Sequence, residues 1–177
     1  SHLNDWLVEN NISGICNIDT RALTKNIRDK GARMAIIFYA KEGEEIDVKK
    51  LLDEVKPLPD LKGQDLASIA STKKSYEWQK QIFDFEKQTY PKNKNSKYHI
   101  VAIDYGIKEN ILRCLANEDC KVTVVNAQTP AAKILALNPD GIFLSNGPGD
   151  PKATSAISTP IIKELLASKM PLFGICL

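Results

Sequence analysis

The chain has 177 residues, of which 43% are hydrophobic and 26% are charged, so it can bury the core of one domain or of two small ones. Its 24 Lys and Arg residues stand against 22 Asp and Glu residues, and this balance lacks the concentrated basic charge that nucleic-acid binding needs. No apolar run approaches the length of a membrane span. We therefore expect a cytoplasmic protein whose partners are small molecules or proteins, with neither nucleic acid nor membrane among them.

The first half of the chain predicts short helices mixed with strands. Three helices are predicted, one beginning near Leu3 and two beginning after the N-cap residues Asp19 and Asp47. Apolar runs at residues 15–18 and 34–39 predict two strands, the second rich in isoleucine and aromatic residues. We therefore expect a small mixed α/β domain here.

A polar segment separates the two halves. Residues 91–97 comprise one proline, three lysines, two asparagines and a serine, a composition typical of a linker. We therefore divide the chain into a first domain at residues 1–90, a linker at residues 91–97 and a second domain at residues 98–177.

Beyond the linker, strands and helices alternate regularly. Strands are predicted at residues 100–104, 122–126, 141–144 and 172–175, and helices at residues 108–115, 130–137 and 160–167. Thr159 before Pro160 marks the last helix start by a capping hydroxyl and a proline at the first helical position. Apolar strands that alternate with helices predict a parallel, doubly wound (flavodoxin-like) α/β sheet with helices on both faces. Ligands of such sheets bind beyond the carboxyl ends of the strands.

Two unusual loops follow predicted strands of this sheet. In residues 145–151, Gly147 and Gly149 leave backbone N–H groups open to a ligand, as in a pre-organised oxyanion hole. In residues 174–177, Cys176 directly follows a strand, with a glycine two positions earlier, as in the first part of a nucleophile elbow. Each motif alone is more often an ordinary turn or a core cysteine. Only the pair indicates a catalytic site.

The other cysteines and the histidines carry no predicted chemistry. The spacing of Cys16, Cys114, Cys120 and Cys176 fits neither a zinc site nor a disulfide framework, so we expect reduced thiols and no metal. Of the two histidines, His2 stands at a terminus. His99 opens a strand, about 15 to 20 Å from the opposite sheet edge at about 3.3 Å per residue.

Several motifs together carry a family resemblance. They lie at residues 14–15, 18–24, 27–28, 104–108, 110–113, 144–151 and 173–177, and include Asp-Thr-Arg-Ala-Leu-Thr at 19–24 and Ser-Asn-Gly-Pro-Gly-Asp-Pro at 145–151. With these motifs the chain resembles the class I (triad) glutamine amidotransferases and, among them, the small subunits of carbamoyl-phosphate synthetases. The motifs of the first half are specific to these small subunits. Other class I members share the elbow at residues 174–177 and the glycine loop at residues 147–149 but lack the first-half motifs. Asn17 and Tyr105 stand where this family usually has glycine and phenylalanine.

The resemblance implies a mechanism. Cys176 would attack the carboxamide carbon of L-glutamine, releasing ammonia and leaving a glutamyl thioester. The backbone N–H groups of Gly147 and Leu177 would form the oxyanion hole, and Gly147, Gly149 and Leu177 would bind glutamine. The ammonia would pass to a large synthetase subunit, in a heterodimer or larger complex, which uses ATP, Mg²⁺ and bicarbonate to make carbamoyl phosphate for pyrimidines and arginine. The chain itself is expected to bind no cofactor.

The resemblance also implies that part of the machinery lies elsewhere. The histidine base and the glutamate that orients it lie downstream of the elbow in this family, as do the glycine and glutamine that continue the elbow. A serine that helps to hold glutamine precedes the first domain segment. We therefore expect this chain to be part of a longer protein and to have no glutaminase activity alone.

Two other interpretations remain open. One is the glutaminase domain of another class I enzyme, such as those of guanylate or anthranilate synthesis, which lack the motifs at residues 18–28. The other is a non-catalytic flavodoxin-like docking module in which Cys176 is merely buried. Alkylation of Cys176 by a glutamine-analogue electrophile discriminates between a catalytic and a buried thiol.

Overall fold

The computed structural model describes residues 2–60 and 62–176. By its internal contacts the chain divides into a first unit, residues 1–60, and a second unit, residues 61–177. The helices are α1 (Leu3–Glu9), α2 (Thr20–Lys30), α3 (Val48–Val55), α4 (Leu66–Ala70), α5 (Glu109–Asn117), α6 (Ala131–Leu135) and α7 (Pro151–Ala167). The strands are β1 (Tyr76–Trp78), β2 (Tyr98–Asp104), β3 (Cys120–Asn126), β4 (Gly141–Leu144) and β5 (Leu172–Gly174). Over the described ranges, every helix is too short or too polar to cross a membrane.

The helices of the first unit begin where their capping residues predict. The carboxylate of Asp19 accepts a hydrogen bond from the backbone N–H of Ala22 at 2.9 Å, and Asp47 does the same for Lys50 at 2.9 Å. Each bond satisfies one of the N–H groups that a helix leaves free at its N-terminus. The three helices predicted here are therefore confirmed.

The two strands predicted in the first unit, at residues 15–18 and 34–39, are wrong. Neither segment pairs with a strand anywhere in the described part of the chain, and all the strand pairs lie in the second unit. Ile37 and Tyr39 remain 58% and 88% exposed. Because a strand is held by hydrogen bonds to a neighbouring strand, an apolar run without a partner does not become one.

The five strands of the second unit form one sheet in the order β1-β3-β2-β4-β5. Strands β3, β2, β4 and β5 are parallel, and β1 pairs with β3 as an antiparallel edge strand that the sequence analysis did not predict. The predicted parallel α/β sheet is therefore confirmed. The chain leaves β2 towards β3 on one side and returns to β4 on the other, so the strand order reverses between β2 and β4. In sheets of this kind, ligands bind at that reversal.

Two buried clusters pack on opposite faces of the sheet. One contains Val101, Ile103 and Val125 of the sheet with Ala67, Ala131, Ile134 and Leu165 of α4, α6 and α7. The other contains Ala102, Val122, Val124 and Phe143 with Leu112 of α5. Successive residues of β2 thus point to opposite faces, as the pleat requires. Helices cover both faces, which is the doubly wound arrangement predicted from the sequence.

The polar segment at residues 91–97 is hydrogen-bonded within the second unit. The side-chain amide of Asn93 donates to the carbonyl groups of Ala116 and Cys120 at 3.1 and 3.2 Å, and the carbonyl of Pro91 accepts from the N–H of Gln81 at 2.8 Å. The compact units divide between residues 60 and 61, ahead of this segment. The assignment of residues 1–90, 91–97 and 98–177 to separate family domains stays a prediction.

Helix α7 begins nine residues before its predicted start. Asp150 caps it by accepting from the N–H of Lys152 at 2.9 Å, and Pro151 takes the first position. Pro160, predicted to begin the helix, lies inside it, where its missing N–H removes one hydrogen bond of the helix. Asp-Pro and Thr-Pro are both good signals for a helix start, and the helix begins at the first of the two in the chain. Helix α7 therefore follows directly on the glycine loop.

Candidate active site

The two loops singled out in the sequence leave the same edge of the sheet. Strands β4 and β5 are parallel neighbours, with Leu144 opposite Gly174. The N–H of Ile175 donates to the carbonyl of Leu144 at 3.1 Å, which extends the pairing by one residue. The residues after Leu144 and those after Ile175 therefore emerge side by side, and Gly147 and Cys176 lie beyond the carboxyl ends of neighbouring strands.

Cys176 has a backbone conformation that side-chain-bearing residues rarely adopt. Its φ is +43°, in the left-handed region, and it is exposed. This conformation is strained for residues other than glycine, and such strained residues cluster at functional sites. A sharp turn directly after a parallel strand is the geometry of a nucleophile elbow. Leu177, the other predicted residue of this turn, lies outside the described residues.

Gly147 approaches the loop after β2 so closely that only glycine fits. A Cβ at this position would lie 2.4 Å from the carbonyl oxygen and 2.9 Å from the Cβ of Tyr105. The backbone N–H of Gly147 donates no hydrogen bond to any residue that the structure describes. A glycine is therefore required here by packing, and it carries an N–H group free to bind a ligand.

Gly149 is required for two reasons. Its φ is +95°, and a Cβ there would lie 2.8 Å from the carbonyl oxygen of Gln64 and 3.0 Å from the N of Leu66. The backbone of residues 64–66 thus lies directly against the glycine loop. The N–H of Gly149, like that of Gly147, has no acceptor in the described parts of the chain.

The loop after β2 is folded around the buried carboxylate of Asp104. This carboxylate accepts from the N–H groups of Gly106 and Ile107, both at 2.8 Å, and from that of Thr72 at 2.7 Å. An acidic residue that ends a buried strand before a glycine is typical of such a turn. In the sequence, Asp104 stands out only as part of the family motif at residues 104–108, and this hydrogen-bonding role was not predicted.

Ser145 and Asn146 tie the loop after β4 to the loop after β2. The buried hydroxyl of Ser145 accepts from the N–H of Tyr105 at 2.9 Å. The side-chain oxygen of Asn146 accepts from the N–H of Lys108 at 3.0 Å, and its side-chain nitrogen donates to the carbonyl of Gly106 at 3.1 Å. The loop after β2 and the loop after β4, on either side of the strand reversal, are therefore joined by hydrogen bonds.

Asp150 fastens the other end of the glycine loop. One carboxylate oxygen caps α7, and the other accepts from the N–H of Gly63 at 2.8 Å. The N–H of Asp150 donates to the carbonyl of Gln64 at 3.2 Å. The hydrogen bonds from the backbone N–H groups of Gly63 and Lys152 hold the pKa of Asp150 below its usual value.

A cavity of about 410 Å³ lies between the ends of β4 and β5 and helix α7. Its lining includes Cys176 together with the hydroxyl-bearing residues Ser145, Thr154, Ser155 and Ser158. The volume falls in the range of small-molecule sites. Cys176 therefore borders a space large enough for a small-molecule ligand.

Histidine 99, the only histidine of the second unit, stands far from Cys176. It lies five residues before the end of β2, about 16 Å from the loop edge at about 3.3 Å per residue. Its Nε2 atom lies 2.8 Å from the hydroxyl of Thr123. His2 belongs to the first unit. In the second unit the described residues thus bring no histidine to the thiol.

Residues 2–60 and 62–176 contain no cluster of three or more His, Cys, Asp or Glu side chains that could hold a metal ion. That this chain binds no metal and no cofactor stays a prediction. The roles predicted for Cys176, Gly147, Gly149 and Leu177 stay predictions as well.

The chain is similar to two family models and to many curated proteins. The model described as "Glutamine amidotransferase class-I" matches residues 101–177, and "Carbamoyl-phosphate synthase small chain, CPSase domain" matches residues 1–37. Proteins named "Carbamoyl phosphate synthase small chain" from Rhizobium meliloti and Agrobacterium fabrum are each 48% identical over 99% of this chain and 44% of their own length. One from Pseudomonas putida is 46% identical over 99% of this chain and 46% of its own length.

The chain thus spans less than half the length of these relatives. The two family models together reach from the first unit to the end of the sheet, and the relatives align with almost the whole chain. This chain belongs to the family of carbamoyl phosphate synthase small chains, and its second unit carries the class I glutamine amidotransferase sheet.

Proposed function

We propose that this chain is part of the glutamine-hydrolysing subunit of a carbamoyl phosphate synthase, with Cys176 as the nucleophile. One observation carries the proposal: Cys176, at a φ of +43°, and Gly147, whose N–H bonds to no described residue, follow neighbouring parallel strands at one edge of the sheet. A nucleophile and an oxyanion donor must share one edge to act on the same amide.

In the proposed reaction, the thiolate of Cys176 attacks the carboxamide carbon of L-glutamine. The carbonyl oxygen takes the negative charge, and the N–H groups of Gly147 and Leu177 stabilise it. The C–N bond then breaks, the nitrogen takes up the proton that the thiol gave to its base and leaves as ammonia, and a glutamyl thioester remains. Water hydrolyses the thioester to glutamate and restores the thiol. One donor of such an oxyanion hole contributes about 10²- to 10³-fold to kcat.

The ammonia would serve a large synthetase subunit that consumes ATP, Mg²⁺ and bicarbonate. The curated relatives are named small chains, which supports a partnership with a larger one. Gly149, the remaining residue predicted to bind glutamine, would contribute its backbone N–H, which is also unbonded within the described residues. The cytoplasmic location predicted from the sequence stays a prediction.

The alternative of a core cysteine has less support. A cysteine in a core strand has no reason to adopt a left-handed conformation, whereas Cys176 does so directly after β5. Cys176 also lines a cavity of about 410 Å³.

The test uses the full-length protein that contains this chain, and measures ammonia released from glutamine. We expect Cys176→Ser to lower the rate by about 10³-fold or more, because hydroxyl groups are poor substitutes for a thiolate. The control is Cys114→Ser, at another exposed cysteine, on α5, which should stay within about twofold of the parent.

A glutamine-analogue electrophile should label the parent at Cys176 and leave Cys176→Ser unlabelled. If Cys176→Ser keeps half of the parent's rate, or if Cys176 resists the electrophile, the proposal fails and the docking module is the better interpretation.

We further propose that the 177-residue chain alone does not hydrolyse glutamine. A thiol of this class needs a histidine to accept its proton, and His99 lies at the far end of β2. Ammonia release from the purified 177-residue chain is the measurement. A rate comparable to that of the full-length protein would show that a base within this chain has been overlooked.

A further inference from the structure

The glycine loop at residues 147–149 has no polar side chain that could fix it by hydrogen bonds. It consists of Gly147, Pro148 and Gly149, and the N–H groups of both glycines are unbonded within the described residues. Glycine is also the residue with the greatest backbone freedom. If these N–H groups are to point at a developing charge, the residues on either side of the loop must fix their direction.

Asn146 fixes the end of the loop that follows β4. Both polar atoms of its side chain are used, since the oxygen accepts from Lys108 and the nitrogen donates to the carbonyl of Gly106. The turn that it binds is itself held by the buried carboxylate of Asp104, through three backbone N–H groups. Asn146 therefore anchors the loop to a turn that is itself hydrogen-bonded.

Asp150 fixes the end of the loop that precedes α7. Its Oδ2 atom accepts from the N–H of Gly63, and a charged acceptor makes this bond about twice as strong as a neutral one. The bound segment is fastened in turn, because Asp65 accepts from the hydroxyl of Thr154 on α7 at 3.1 Å. The second anchor therefore rests on a segment that is tied back to the helix.

The two roles of the Asp150 carboxylate are carried by different atoms. Oδ1 accepts from the N–H of Lys152 and caps α7, whereas Oδ2 accepts from the N–H of Gly63. A helix cap needs only the first bond. The second bond crosses to residue 63, and it lies beside the point where the backbone of Gln64 meets Gly149.

We propose that Asn146 and Asp150 are positioning residues for glutamine hydrolysis: from either end, they hold the backbone N–H groups of residues 147–149 in the direction that the reaction needs. This inference rests on the proposed function. Neither side chain touches the reacting atoms, and both act through the backbone between them. Their loss should therefore weaken glutamine binding and transition-state stabilisation while leaving the thiol itself unchanged.

Two nearly isosteric substitutions in the full-length protein test the inference. Asp150→Asn keeps an oxygen that can cap α7 but replaces the acceptor facing Gly63 with an amide that cannot accept. Asn146→Asp keeps the acceptor for Lys108 and replaces the donor facing the carbonyl of Gly106 with a charged oxygen. The control is Asp47→Asn, the same chemical change at the N-cap of α3 in the first unit.

We expect each of the two variants to lower kcat/KM for glutamine by about tenfold or more, with a rise in KM, because small displacements of positioned groups are costly. The control should stay within about twofold of the parent. Alkylation of Cys176 by iodoacetamide, a small reagent that needs no oxyanion hole, should also stay within about twofold of the parent in all three variants.

A merely structural role predicts a different result, with a lower melting temperature, less active protein and an unchanged KM. That pattern would overturn the inference, as would a kcat/KM within twofold of the parent in both variants. If Asp150→Asn does not fold, Asp150→Ser, which also supplies a capping oxygen, takes its place.

The proposed function is judged separately by Cys176→Ser. A parent that releases no ammonia, or a Cys176→Ser variant that does, removes the proposed function and this inference with it. A parent that depends on Cys176 but not on Asn146 or Asp150 removes only the inference.

Discussion

The two units of this chain treat their apolar residues in opposite ways. In the first unit, the helices α1, α2 and α3 contain no buried residue, and apolar side chains such as Leu23, Ile27 and Leu52 are exposed. In the second unit, two apolar clusters close against both faces of a five-stranded sheet. Apolar periodicity is present in both units, but among residues 2–60 and 62–176 only those of the second unit form a buried core.

This difference separates what is local in a fold from what is not. A helix satisfies its backbone within itself, so the caps Asp19 and Asp47 suffice to mark where helices begin in the first unit. A strand satisfies its backbone only through a neighbour, and the apolar runs of the first unit have none. Predicted helices thus formed in both units, while predicted strands formed only in the second.

Amide hydrogen exchange should give the largest contrast between the units. Exchange depends on local opening, and helices without buried contacts open at little cost. We expect amides of the central strand β2 to exchange at least about 10³-fold more slowly than those of α2, as measured by mass spectrometry on the 177-residue chain. Equal protection of α2 and β2 would show that the first unit has a core of its own.

Truncating one leucine in each unit should give the next largest contrast. Leu165 is fully buried on α7, so Leu165→Ala should lower the free energy of unfolding of the second unit by about 3 kcal/mol. Leu52 is 54% exposed on α3, so Leu52→Ala should cost about 0.5 kcal/mol. Urea unfolding measures both: Trp78 fluorescence in a Trp6→Phe background follows the second unit for Leu165→Ala, and Trp6 fluorescence in a Trp78→Phe background follows the first unit for Leu52→Ala. A cost above about 2 kcal/mol for Leu52→Ala would contradict the comparison.

Adding a methyl group at a glycine compares the loops of the two units. At Gly147 the new Cβ would collide with the backbone of Tyr105, so Gly147→Ala should cost about 2 kcal/mol. At Gly43 nothing lies within 4 Å, and only the φ of +80° opposes alanine, so Gly43→Ala should cost about 1 kcal/mol. Thermal unfolding of the two variants tests this order. A smaller cost at Gly147 would mean that its loop can move away from Tyr105.

Truncating the buried hydroxyl of Tyr105 should give a small change in the opposite, stabilising direction. Its buried hydroxyl has no hydrogen-bond partner within the described residues, so Tyr105→Phe should raise the free energy of unfolding by about 1 kcal/mol. Tyr39→Phe, at the exposed tyrosine of the first unit, is the matched control and should leave the free energy of unfolding unchanged. Urea unfolding at pH 7 measures both, and a destabilised Tyr105→Phe would imply an unseen partner for the hydroxyl.

The same residue predicts an alkaline pH dependence. Burial raises the pKa of Tyr105 to about 12, whereas an unfolded tyrosine ionises near pH 10. The native state therefore keeps a proton that the unfolded state loses, and stability falls as pH rises from about 10 to about 12. The free energy of unfolding of Tyr105→Phe should depend less on pH than that of the parent over this range, as measured by urea unfolding at each pH. Parallel curves would contradict the assignment.

Much of the second unit could be predicted because its signals are local and repeated. Apolar strands alternating with helices specify the parallel sheet, and a parallel sheet places Gly147 and Cys176 at one edge. The start of α7 was misplaced because one Asp-Pro and one Thr-Pro start signal lie within ten residues, and the helix begins at the first of them and continues through the second.

The anchors of the site could not be predicted, because they join residues far apart in sequence. Asp150 binds the N–H of Gly63, and Asp104 binds that of Thr72, across 87 and 32 residues respectively. Nothing in the composition of residues 62–72 indicates that they flank a glycine loop. The antiparallel strand β1 was missed for a similar reason, since three residues are too few for a visible alternation.

The amide of Asn146 has one more consequence, for the ageing of the protein. Asparagine is a thermolabile residue. In an Asn-Gly pair the glycine nitrogen can attack the side-chain carbonyl carbon, expel ammonia and close a succinimide ring, which water then opens to aspartate or isoaspartate. The Asn146 side chain is hydrogen-bonded to the backbone of the residues on both sides of Ile107. Closing the succinimide ring therefore requires that both of these hydrogen bonds break. Native protein should therefore deamidate slowly at this position, and unfolded protein quickly.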